Sequence, residues 1–170
     1  MAKAHTSSPP NASKSELTNN MPTLHIGYEE GIAALPSPLE NQFQDLMDCV
    51  AERHNLSDSA MLVFTNDEHM RSLNAHYRDK DRTTDVLSFD LGSPVGAVEE
   101  SLSKEIYISL EQAHRQADEQ GVSHSEELAR LLVHGLLHLA GWDHETPKKL
   151  EHMERETDEI LRARDFLPPL

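Results

Sequence analysis

The stretch His134-Gly-Leu-Leu-His138-Leu-Ala-Gly141-Trp142-Asp143-His144 closes a segment, 124–140, in which apolar residues occupy most of a helical circumference. Leu128, Leu131, Leu132, Leu136, Leu137 and Leu139 leave no wholly polar face, so the spacing predicts a central helix buried on several sides. His134 and His138 interrupt that surface. At i and i+4 they share one face about one turn apart, where an imidazole without a partner is costly to bury. Gly141 can take the positive φ that ends a helix, and the chain then turns back to deliver His144 to the same point. Three neutral nitrogens, each about 2 Å from one ion, leave a fourth position open, which is the pattern of a catalytic zinc site rather than a closed structural one. With no thiolates in the set, an iron–sulfur cluster does not fit.

The spacing also matches the zinc-protease pattern H-E-x-x-H-x-x-G-x-x-H, with one difference. Gly135 stands where those enzymes carry the glutamate that acts as general base. A glycine cannot accept a proton, which argues against peptide hydrolysis and leaves a zinc peptidase-like hydrolase as the alternative. A phosphodiester suits a Lewis acid with a cation nearby. Such a cation lies in Leu73-Asn74-Ala-His-Tyr77-Arg78-Asp79-Lys80-Asp81-Arg82-Thr83-Thr84-Asp85-Val86-Leu87-Ser88-Phe89. Arg78 can hold a phosphate bidentately or offset developing charge. Composition alone favours a plainer reading, in which Arg78, Lys80 and Arg82 pair with Asp79, Asp81 and Asp85 in a solvated loop.

Outward from these segments the pattern is mixed. Residues 23–28 alternate as an edge strand does, and 60–65, 86–89 and 105–110 read as further strands. Helices are expected from Ser37, as N-cap before Pro38, to about 54, from 67 to 78 behind an Asn66 or Asp67 cap, from 110 to 120 ending at Gly121, and from Thr146-Pro147 to about 164. The last carries an apolar stripe of Leu150, Met153, Ile160 and Leu161. Segment 91–103 reads as a loop or hairpin. Strands gathered in the middle with helices at both ends imply an α+β class with a mixed central sheet and surrounding helices.

The 170 residues, 37% hydrophobic, suit a single domain over 23–170 behind a Ser-, Asn- and Pro-rich tail, 1–22, expected to be disordered. No signal-peptide or membrane-spanning run is visible, and the single cysteine, Cys49, sits in a helical apolar pattern as core filler. Both features point to the cytoplasm. Of the 11 histidines, His5, His54, His69, His76, His114, His124 and His152 read as surface groups. The net charge of −15 disfavours nucleic-acid binding unless a local basic patch exists.

Taken together, the segments 73–89 and 134–144 resemble the bacterial YbeY family of endoribonucleases, or rRNA maturation factors. The family pattern H-G-x-L-H-L-x-G-[YW]-D-H is matched by His134 through His144. The upstream signature L-N-x-x-Y-R-x-x-D-x-x-T-D-V-L-S-F is matched at Leu73, Asn74, Tyr77, Arg78, Asp81, Thr84, Asp85, Val86, Leu87, Ser88 and Phe89. The resemblance implies one zinc ion on His134, His138 and His144, with Arg78 beside it lining a basic cleft for RNA. It implies a single-strand endoribonuclease in small-subunit ribosomal RNA maturation and quality control, partnered by the small subunit and its assembly factors. A non-catalytic assembly factor with a structural zinc is the rival from another class. Two departures stand out. Lys104-Glu105-Ile106 replaces the usual Gly-Asp-Ile, and Trp142 replaces the commoner tyrosine, its ring expected to pack beside the metal turn. Asp143 is expected to be a turn residue or one that orients a ligand histidine.

Overall fold

The computed structural model describes residues 21–92 and 102–170. Nine elements follow in the order β1 (Leu24–Tyr28), α1 (Ser37–His54), β2 (Ala60–Thr65), α2 (Asp67–Arg78), β3 (Val86–Asp90), β4 (Lys104–Ser109), α3 (Leu110–Gln120), α4 (His124–Leu139) and α5 (Pro147–Ala163). The four strands form one sheet in the order β1-β2-β4-β3. β1 and β2 run parallel, as do β2 and β4, while β3 pairs antiparallel along the outer edge of β4. The α+β class with a mixed sheet is what the segment pattern predicts. The expected tail over 1–22 and the expected loop over 91–103 fall largely outside the described residues. Met21 packs against the core, and the Pro22 carbonyl accepts from Gln44 Nε2 at 3.1 Å.

Local chemistry sets the helix ends. Asn66 Oδ1 accepts from the His69 backbone at 2.9 Å, so the cap of α2 is Asn66 rather than Asp67. Asp67 instead accepts from the Ser109 hydroxyl at 2.6 Å and from Arg115. Gly121, at φ 69°, ends α3. At α1 the expectation of a Ser37 cap is corrected: Pro36 holds the cap position, and no side chain closes the first turn. The Pro36 carbonyl receives the Leu39 and Glu40 amides there.

The core lies between the sheet and α1, α4 and α5, with Phe43, Leu46, Phe64, Ile106, Leu132 and Leu136 fully buried. α4 touches α1, α3, α5, β3 and β4, which explains why apolar residues surround it. Cys49 is buried in this core. β4 begins at Lys104 in regular register despite the missing glycine. The Lys104 side chain is buried, and its ammonium sits 2.6 Å from Asp90 and 3.6 Å from Asp58. Leu150 departs from the expected stripe on α5. It is 39% exposed, while Met153, Ile160 and Leu161 are buried.

A three-histidine centre and the cleft around it

α4 presses its Gly135 backbone onto the outer strands. A Cβ at that position would lie 3.0 Å from Ile106 Cγ2 and 3.0 Å from Ser88 Oγ. Glycine is thus the residue that lets α4 approach β3 and β4 this closely, and Ser88 Oγ donates to the Gly135 carbonyl at 3.3 Å. This seats His134 and His138 where α4 crosses the sheet edge. After Leu139 the chain turns through Gly141, at φ 93°. The Trp142 amide reaches back to the Leu137 carbonyl at 3.0 Å, which completes a left-handed helix end.

The turn brings His144 to the other two rings. Ring centroids lie 4.6 Å (His134–His138), 4.9 Å (His138–His144) and 5.4 Å (His134–His144) apart. One ring nitrogen from each of the three lies within 4.8 Å of the others, a cluster that could hold a metal ion. The donor chemistry fits one. His138 Nδ1 lies 2.9 Å from the Trp142 carbonyl, and a neutral ring that donates there keeps a lone pair on Nε2. That Nε2 sits 3.0 Å from His134 Nε2. Nitrogens about 2.1 Å from a tetrahedral ion lie roughly 3.4 Å apart, so small ring rotations produce that geometry. Burial, then the neighbouring His138 and His144, pushes the His134 pKa down to about 4. Burial also lowers His138, helped by the charges of His144 and Arg78 and opposed by the Trp142 carbonyl. Both rings are therefore held neutral, the form that binds a metal.

Of the two roles expected of Asp143, the structure shows the one in the turn. Its Oδ1 accepts from the Glu145 amide at 3.2 Å and its Oδ2 pairs with Lys149 at 2.7 Å, because the turn points it outward while the Trp142 carbonyl faces His138. The pairing within 78–85 that composition alone favoured is not found among the described residues. Asp81 pairs with Arg71 at 2.7 Å. Asp85 accepts from the Val86 amide at 2.8 Å and from Gln116 at 3.1 Å. Among the described residues Arg78, Lys80 and Arg82 make no ion pair. Arg78 is exposed at the end of α2 and near enough for its charge to act on His138. Asn74, buried, secures this loop by donating from Nδ2 to the Arg82 carbonyl at 2.8 Å.

Trp142 packs beside the turn as expected, its ring 5.1 Å from His54 and 4.8 Å from His152. His54 is not the surface group its sequence context suggests. Its side chain is 15% exposed and meets Glu156 at 2.8 Å. Tyr77, which the sequence marked only as part of the upstream signature, is 57% exposed with its ring 4.9 Å from Phe89. The signal was present as an aromatic beside Arg78, but exposure cannot be read from one residue.

Fold and site define an α+β protein whose central helix and following turn gather three imidazoles able to hold a metal ion. The family model for Endoribonuclease YbeY matches residues 28–165. An Endoribonuclease YbeY of Pelotomaculum thermopropionicum is 38% identical over 147 residues, covering 83% of this chain and 95% of that protein. The Brevibacillus brevis protein of the same name is 33% identical over 153 residues, covering 83% and 96%. The solution structure of a Thermotoga maritima protein, 24% identical, superposes with a TM-score of 0.55 over 86% of this chain and 94% of that one, a likeness of fold. The chain belongs to the Endoribonuclease YbeY family, a family of nucleases.

Proposed function

We propose that this protein is a single-strand-specific, zinc-dependent endoribonuclease. In this reading it acts in the cytoplasm on small-subunit ribosomal RNA, in maturation and ribosome quality control, beside the small subunit and its assembly factors. Residues 23–170 form its hydrolase domain and 1–22 a tail. The observation that carries the reading is the convergence of His134, His138 and His144 beside an Arg78 that pairs with no carboxylate among the described residues. No helix among the described residues is long and apolar enough to cross a membrane.

A zinc ion on the three histidines would supply a Lewis acid that polarises a phosphoryl oxygen or acidifies a water. The remaining work falls to the chain. Arg78 offsets phosphate charge with a planar pair of donors. Lys80 and Arg82, which pair with no carboxylate among the described residues, add two cations beside Arg78 in a protein of net charge −15. Tyr77 offers an unstacked base a flat face, the usual mode of single-strand recognition. Gly135 leaves no carboxylate where a peptidase needs one, which supports phosphodiester over peptide cleavage. With few phosphate contacts, binding is expected to be weak alone and to fall steeply with salt; ribosomal partners would supply the rest.

The test is elemental analysis of purified wild type and His138→Ala, followed by single-stranded RNA and a peptide panel offered to the zinc-loaded wild type. The expected result is about one zinc per wild-type chain, none on the variant, cut RNA and intact peptides. Cut peptides with intact RNA would establish the peptidase reading instead. RNA that is bound but never cut would establish the assembly-factor reading. A cyclic phosphate on the product would assign the attack to the RNA's own 2′-hydroxyl.

A further inference from the structure

A cavity of about 220 Å³ opens beside the histidines, between β3, α3, α4 and α5, with His134 on its wall. The reading above gives it no task. Its chemistry is unusual in one respect. Glu127 lines it, is 2% exposed, and its Oε2 has no hydrogen-bond partner among the described residues. A second acceptor on the wall, Gln116 Oε1, is likewise buried without a donor, because the Gln116 amide nitrogen is committed to Asp85 at 3.1 Å. A buried carboxyl without a donor costs free energy that a folded protein rarely tolerates without use. Burial accordingly holds the Glu127 carboxyl above the usual range. Leu131 and Leu150 supply apolar wall, and the exposure of Leu150 noted above is explained by its place at this opening.

We propose that this cavity is a subsite for one base of the RNA substrate, selective for guanine, with Glu127 and Gln116 as the acceptors that read it. This rests on the endoribonuclease reading and adds a specificity to it. Size favours a single heterocycle, since sites for drug-sized ligands begin at about 300 Å³. Position favours a nucleotide. Glu127 and His134 are seven residues apart, which is two helical turns and roughly 10 Å along one face of α4. A nucleotide spans such a distance from its phosphate to the outer edge of its base. Polarity favours guanine. Its Watson–Crick edge presents two adjacent donors, N1–H and the N2 amino group, to a carboxylate that has no donor of its own. Adenine and cytosine offer one amino group each. Uracil offers one N–H flanked by two carbonyls, which would face the carboxylate oxygens and be repelled. Carboxylates read base amino groups in this way elsewhere, and single-stranded RNA can splay out a base to reach such a pocket.

The experiment uses the full zinc-loaded chain and oligouridine strands carrying one guanosine, one inosine or none. Inosine differs from guanosine only in lacking the N2 amino group, so the comparison needs no protein variant. The expected result is cleavage at a fixed bond relative to the guanosine, about tenfold or more faster than in all-uridine RNA. That advantage should shrink with inosine and fall toward unity in Glu127→Gln. Gln116→Met, which removes the second acceptor, should narrow it as well. In parallel, free guanosine should shift the NMR signals of the Gln116 side-chain amide where uridine does not. RNA cut with no regard to guanosine, and no guanosine effect on Gln116, would overturn the subsite and leave the nuclease reading standing. A guanosine shift in a protein that cuts no RNA would keep the subsite and remove the nuclease reading.

Discussion

Replacing Gly135 with alanine tests whether the histidines are placed by close contact between α4 and the sheet. A glycine inside a helix normally costs about 1 kcal/mol relative to alanine, so on propensity alone the change stabilises. The packing opposes it. The new methyl would sit 3.0 Å from both Ile106 Cγ2 and Ser88 Oγ and 3.2 Å from Ile106 Cδ1. Ile106 cannot retreat: it is fully buried in β4, with β2 on one side and β3 on the other. Overpacking of this kind costs about 1–3 kcal/mol, so the net is a loss of about 1 kcal/mol, or roughly 2–4 °C in Tm for a chain of this size. Thermal melts of the metal-free wild type and Gly135→Ala read it directly. In a double-mutant cycle with Ser88→Ala, part of the loss should disappear, because one of the two closest collisions is removed. A Gly135→Ala protein that melts higher than wild type would refute the argument. The same collisions meet a glutamate, which must also bury its carboxyl. Restoring the peptidase base at position 135 should therefore unsettle the fold rather than create a peptidase.

Three further outcomes are expected. Arg78→Ala should keep its zinc and its Tm while losing about 10²–10³ in RNA cleavage rate, and NMR titration of the metal-free variant should show His138 protonating at higher pH than in the metal-free wild type, since the Arg78 charge lowers it. An unchanged rate would remove Arg78 from the site. In the metal-free protein, His134 is depressed from 6.5 to about 4, so the unfolded chain takes up that proton first. Its contribution is intact above pH 6.5 and is lost as pH falls from 6.5 toward 4, by at most ~3 kcal/mol. Denaturant melts of wild type against His134→Gln should converge across that window, and a constant difference would contradict the burial argument. Glu127→Leu should raise Tm by a few degrees, because an apolar group replaces a buried carboxyl without a donor; a lower Tm would mean that the carboxyl has a partner after all.

The elements themselves could be read from periodicity and turn chemistry. The long helix, its end at Gly141 and the return of His144 are all carried by side-chain type and spacing. What could not be read depends on contacts between distant segments or on the backbone. Nothing in β2 or β4 announces that they lie side by side and parallel, with β3 outside. The group that fixes His138 is a carbonyl, which every residue possesses, so no side chain in the sequence could announce it. Glu127 stands beside Glu126 in a first helical turn and reads as solvated; only the packing of α3 and α5 over α4 buries it. Alternating charges in 78–85 suggested internal pairs, whereas Arg71, about two turns before Arg78 on α2, takes Asp81, and the loop cations pair with no carboxylate among the described residues.

The clamp at the far side of the histidine turn bears on the order in which this protein becomes competent. Arg53, at the end of α1, binds Glu156 of α5 at 2.7 Å, and His54 shares that carboxylate while its ring meets Trp142. Two segments about a hundred residues apart thus brace the turn that presents His144. A nascent chain folds from its N-terminal end as synthesis proceeds, so its three imidazoles emerge before the helix that steadies them. The centre thereby reaches its braced form only once α5 has been made and has packed against α1.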